Sequence, residues 1–191
     1  RVVMFKSCFP NSQLGGSPSD PVPSIASNPL RGEGSGSEYH TVANAKGIYL
    51  ALRDYFATRT DVLWVVVTAP PLTPASTDAA AASNARAFNE WLVNEWLVGY
   101  PQRNVFVFDF YNVLTSDGGS TRTNDPGAND LGWADGNHHR VRGGVVEHLR
   151  TVANDTSAYG SSPDDSHPTG AGGLTESGEP VPPLNAAWHC W

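Results

Sequence analysis

Five consecutive residues near the C-terminus, Asp164-Asp165-Ser166-His167-Pro168, offer acid–base chemistry. An Asp three residues before a His, as Asp164 stands before His167, can fold back and accept a hydrogen bond from Nδ1–H. That contact fixes the tautomer and leaves Nε2 free to take a proton from a hydroxyl nucleophile. Pro168 and its polar neighbours supply the tight turn this requires. The competing reading of so short a polar run is a solvated surface loop, and spacing alone does not separate the two.

A hydroxyl attacking an ester also needs donors for the developing oxyanion. Asn11, beside Pro10, is the best candidate, and a plain turn residue is the equal alternative. Ser7 and Cys8 end an apolar strand, and Cys8 paired with His167 would make a thiol hydrolase. A structural cysteine and a hydrogen-bonding serine are the rival reading of those two residues. Asp135, Asn137, His138, His139 and His148 invite a metal reading. Adjacent histidines point apart on an extended chain, however, and the predicted helix carrying His148 adds no three-ligand spacing. A place in a substrate loop or structural hydrogen bonding is expected there, with no metal. Asp109 ends a strand and serves either as a further acid or as a cap for the next turn. Lys6 has no phosphate-cradling glycine loop beside it, so no nucleotide site is expected. None of this chemistry requires a cofactor.

Positioning such residues needs a scaffold, and hydrophobic periodicity outlines one. Residues 2–5 read as a short buried strand, followed by a Gly/Pro/Ser loop over 11–39. Thr41 caps a helix to 57, with Val42, Ala45, Tyr49, Leu52 and Phe56 on one face. The β-branched run 62–68 reads as a strand buried on both faces. A helix over 83–98 stops at Gly99, and 105–110 forms a third strand. Trp91, Trp96 and Tyr100 fall at helix spacing and read as core. A polar loop spans 116–140, and Val145, Val146, Leu149 and Val152 suggest a short inward-facing helix. After Pro168 the glycines and Pro180, Pro182 and Pro183 predict at most a short helix near 174–178 and an irregular tail. Alternating strands and helices mean parallel pairing in an open three-layer α/β/α sheet, with ligands beyond the strands' carboxyl ends.

The 191 residues suit one α/β domain over 1–191. The chain opens with Arg1 directly onto an apolar strand, so an N-terminal part is expected to precede it. A net charge of −7 with only Lys6 and Lys46 as lysines disfavours nucleic acid as a partner. The longest apolar run, 62–69, falls well short of the roughly 18 residues of a membrane span. Cys8 and Cys190 are compatible with one disulfide or two thiols. Scarce lysine and abundant Gly, Pro, Ser and Thr fit a secreted protein.

The chain resembles the SGNH (GDSL-like) hydrolase family, in a bacterial and archaeal branch. The resemblance is carried by the block 164–168 near the C-terminus, together with Phe5-Lys6-Ser7-Cys8-Phe9-Pro10-Asn11-Ser12, Thr68-Ala69-Pro70-Pro71-Leu72, Asn84-Ala85-Arg86-Ala87-Phe88-Asn89, Phe108-Asp109-Phe110-Tyr111-Asn112-Val113-Leu114 and Gly136-Asn137-His138-His139-Arg140. It implies a flavodoxin-like SGNH fold and a serine esterase acting on a carboxylic ester of a small-molecule, carbohydrate or lipid alcohol. It also implies Asp164 and His167 as the acid–base pair and Asn11 in the oxyanion hole. Neither the family's G-D-S block nor G-x-S-x-G occurs here, and its G-x-N-D block is replaced by residues 6–12. The chain therefore corresponds to the family's C-terminal two thirds, with the nucleophile expected in a missing N-terminal segment of the same protein. A non-catalytic secreted domain of the same fold, used for binding or assembly, is the alternative.

Overall fold

A computed structural model describes residues 1–115, 138–142, 145–148 and 154–191. Three parallel strands, β1 (Val2–Lys6), β2 (Leu63–Val67) and β3 (Val105–Phe108), form a sheet in the order β1-β2-β3. Val2 pairs with Leu63 and Lys6 with Val67, and Trp64 pairs with Val105. The helices α1 (Val42–Ala57) and α2 (Ala79–Asn94) provide the two crossovers. Thr41 caps α1 by accepting from the Asn44 N–H, and Asp78 caps α2 by accepting from the Ala81 N–H.

Period-two alternation divides the sheet into two apolar faces. On one, Phe5, Trp64, Val66, Val105 and Val107 meet α1 and α2 through Tyr49, Phe56, Phe88, Leu92 and Trp96. Trp96 is fully buried, and its indole N–H donates to Tyr49 O at 2.9 Å. On the other, Leu63, Val65, Val67, Phe106 and Phe108 meet α3 (Phe110–Thr115) and Leu184 and Ala187 of α5 (Val181–Cys190). The chain is thus α/β, with helices on both faces of a parallel sheet.

Three expectations are corrected. Residues 2–5 are not interior: β1 is an edge strand among the described residues, with Val2 and Met4 exposed. Residues 145–148 are not helical. They form β5 (Val145–His148), antiparallel to β4 (His139–Arg142), and the two strands are separated in sequence by two glycines. Leu149 and Val152 lie outside the described residues. The tail is helical rather than irregular, in α4 (Gly170–Gly178) and α5. Thr169 caps α4, and the prolines of α5 sit in its first turn, where no intrahelical N–H is needed. No helix among the described residues is long and apolar enough to cross a membrane. Cys8 and Cys190 are not joined in a disulfide.

Candidate functional site

His167 lies on β7 (Asp165–Pro168), which pairs antiparallel with β6 (Gly160–Ser162). Ser162 pairs with Asp165, so Pro163 and Asp164 form the two-residue connection. On a strand, alternate side chains share a face. Asp165 and His167 therefore project together into solvent, while Ser166 between them is buried. The His167 Nδ1–H donates to Asp165 Oδ1 at 2.6 Å, and the His167 backbone N–H donates to the same oxygen at 3.0 Å. Ser161 Oγ donates to Asp165 Oδ2 at 2.7 Å. The structure thus joins His167 to Asp165 and not to Asp164, which sits at the hairpin tip one position out of phase. The Ser161 hydroxyl, with the two bonds from His167, carries the Asp165 carboxyl down to about 2. It is a carboxylate at any ordinary pH and holds the imidazole with Nε2 outward. The His167 side chain is 75% exposed, so the pair stands open to solvent.

The hairpin is fastened to the loops beyond the carboxyl ends of β1 and β2. The buried Ser166 Oγ accepts from the Thr73 N–H at 3.0 Å, and Thr73 Oγ1 donates to Pro163 O at 2.7 Å. A Cβ on Gly160 would stand 2.3 Å from Thr73 Cγ2, so only glycine permits this approach. Phe9 presents its ring edge-on to His167 at 5.4 Å. Phe9 opens a 3-10 turn, Phe9–Ser12, that also carries Asn11, and Ser12 Oγ donates to Pro70 O. Asn11 Nδ2 donates to Ser7 Oγ at 2.6 Å. Burial pushes the Tyr49 phenol up, and hydrogen bonding to Ser7 and Asn11 partly offsets this. Ser7, Asn11 and Tyr49 therefore form one polar cluster behind the turn. Cys8 is exposed.

The histidines singled out for a metal form a different structure. His138 Nδ1 lies 2.6 Å from Glu179 Oε1, and the His138 N–H donates to Oε2 at 2.8 Å. His139 Nδ1 lies 3.3 Å from the same Oε2. The neighbouring rings do not point apart, because the Glu179 carboxylate straddles the chain where β4 begins. His139 Nε2 accepts from the Asp109 N–H at 2.8 Å, which assigns its proton to Nδ1. His148 Nε2 donates to Val107 O at 2.8 Å on the outer edge of β3. Among the described residues no group of three or more His, Cys, Asp or Glu is arranged to hold a metal ion. Asp135 and Asn137 lie outside the described residues. Asp109 is buried and its Oδ1 accepts from the Asn112 N–H, which makes it the cap of α3. Lys6 lies over the Phe110 ring, 5.6 Å from its centre.

Sequence reasoning missed Asp165 as the partner of His167, and with it Ser161, Thr73 and Phe9. The alternation of a strand was the available signal, had 165–168 been read as one. Glu179 carried no signal, because forty residues separate it from His139. No protein-family model, curated protein or solved structure matches this chain.

Proposed function

We propose that this chain carries the acid–base centre of a serine ester hydrolase with an SGNH-type, flavodoxin-like fold. The observation that supports it is the Asp165–His167 pair, with Nε2 outward beside the loops that follow two parallel strands. In this reading His167 Nε2 takes the proton of a serine hydroxyl as its oxygen bonds to the ester carbonyl carbon. Asn11 donates to the oxygen that becomes negative. Collapse breaks the bond to the alcohol, which leaves with the proton from His167. Water then repeats the sequence on the acyl-enzyme, and no cofactor enters. Asp165 replaces Asp164 as the residue that orients the imidazole.

The attacking serine of this proposal belongs to a segment preceding Arg1, as the resemblance to the family implies. Ser7 is the rival within the chain, because its buried Oγ already accepts from Asn11 and follows β1 directly. Turnover of p-nitrophenyl acetate decides. Residues 1–191 alone are expected to hydrolyse it slowly, and the protein extended at its N-terminus much faster. His167→Ala in the extended protein is expected to abolish the gain. Full turnover by residues 1–191 moves the nucleophile to Ser7 or Cys8, and undiminished turnover by His167→Ala refutes the hydrolase.

A further inference from the structure

The β6–β7 ladder is irregular beside the acid–base pair. Ser162 pairs with Asp165 and Gly160 with Pro168, so Ser166 and His167 together oppose Ser161 alone. In a regular antiparallel ladder Ser161 would stand opposite Ser166 and turn with it to the buried side. An extra residue in one strand re-aims the side chains around it. Ser161 is exposed instead, and its Oγ donates to Asp165 Oδ2 at 2.7 Å.

We propose that Ser161 is a positioning residue of the acid–base centre, fixing the plane of the Asp165 carboxylate for the His167 imidazole. The need for such a residue follows from exposure. Where the acid of an acid–histidine pair is buried, its surroundings hold its orientation. Asp165 is exposed, and rotation about the last torsion of an aspartate is soft. Both bonds from His167 end on Oδ1, so they anchor one oxygen and leave the carboxylate free to turn about it. The Ser161 hydroxyl holds the other oxygen and completes a two-point attachment. The same bond is the largest influence carrying the Asp165 carboxyl below its ordinary range.

The effect on turnover rests on the hydrolase reading, whereas the effect on the imidazole is measured without turnover. In residues 1–191, NMR of the imidazole nitrogens at about pH 8.5 reports which nitrogen carries the proton of a neutral histidine. His167→Gln identifies the signals of His167. A neutral imidazole free in water favours the Nε2–H form, and His167 is expected to hold the Nδ1–H form in the parent. Ser161→Ala is expected to lower the ratio of Nδ1–H to Nε2–H at least about threefold. Ser161→Thr, which keeps the hydroxyl, is expected to retain it. The Asp165 carboxyl, followed by NMR, is expected to titrate at about 2 in the parent and higher in Ser161→Ala. In the extended protein Ser161→Ala is expected to lower kcat for p-nitrophenyl acetate about tenfold with KM unchanged, and Ser161→Thr to restore it. An unchanged ratio in Ser161→Ala overturns the assignment, as does a loss shared equally by Ser161→Thr or an undiminished kcat where the extended protein is active. A ratio that falls in Ser161→Ala and is kept in Ser161→Thr upholds it, even where no form hydrolyses the ester and the hydrolase reading alone fails.

Discussion

At His167 the partner is decided by parity. A side chain two positions back on a strand lies on the same face, and one three positions back does not. Asp165 meets the imidazole at 2.6 Å for that reason, while Asp164 is left in the turn. The two aspartates are adjacent and chemically identical, so their variants isolate geometry from charge. Asp165→Asn in the extended protein is expected to lower kcat for p-nitrophenyl acetate by roughly two to four orders of magnitude. Asp164→Asn is expected to stay near the parent value. Equal losses in the two variants would mean that a general negative field, not the hydrogen bond, serves the histidine. The histidine and a neighbouring acid were legible from residue type and spacing. Which acid was not, because a turn and a strand assign opposite phases to the same five residues.

Among the elements, the β6–β7 hairpin depends on one close approach. Gly160 leaves no room for a Cβ against the Thr73 methyl, and Thr73 makes the hydrogen bonds that dock the hairpin. Gly160→Ala is expected to destabilise by about 1–3 kcal/mol through overpacking. Thr73→Ser removes the offending methyl and keeps the hydroxyl. The double variant Gly160→Ala/Thr73→Ser is therefore expected to recover part of the loss in a urea unfolding midpoint. Additive destabilisation would place the strain elsewhere, with the Asp165 carbonyl, 3.1 Å from the same added Cβ, as the next contact to test. The strands β2 and β3 and the helices α1 and α2 were legible because each buries most of a strand or one helical stripe, whereas the apolar residues of β1 gave no sign that it lies at an edge. Val145 and Val146 were misread because a few apolar residues fit a strand and a helix equally. Their antiparallel partner, residues 139–142, has no strong apolar alternation to announce it. The tail was misread because its prolines were taken as breakers, whereas in the first turn of α5 they cost nothing.

For the molecule as a whole, one buried cluster ties the β4–β5 hairpin, the end of β3 and the junction of α4 with α5. Burial pushes the Glu179 carboxyl up, but hydrogen bonds from His138 and His139 outweigh it and hold the group below its ordinary value. Burial holds the His148 imidazole down at about 4, reinforced by His139 and opposed by Asp109 and by the bond to Val107 O. His148 is therefore neutral in the fold, while in the unfolded chain it takes its proton at about pH 6.5. Between those values the unfolded chain binds more protons, so stability falls as the pH is lowered from about 6.5 to about 4 and the term levels off below. Glu179 acts in a lower window. Its contribution is complete above the ordinary glutamate value, roughly 4.3, and is lost as the pH falls through its depressed folded value. The urea midpoint is expected to be flat above about pH 7, to fall through the His148 window, and to fall again in the Glu179 window. His148→Gln removes the upper window and keeps the lower, while Glu179→Gln does the reverse. An unchanged slope between about pH 6.5 and 4.5 in His148→Gln would show that another group governs the acid sensitivity of this fold.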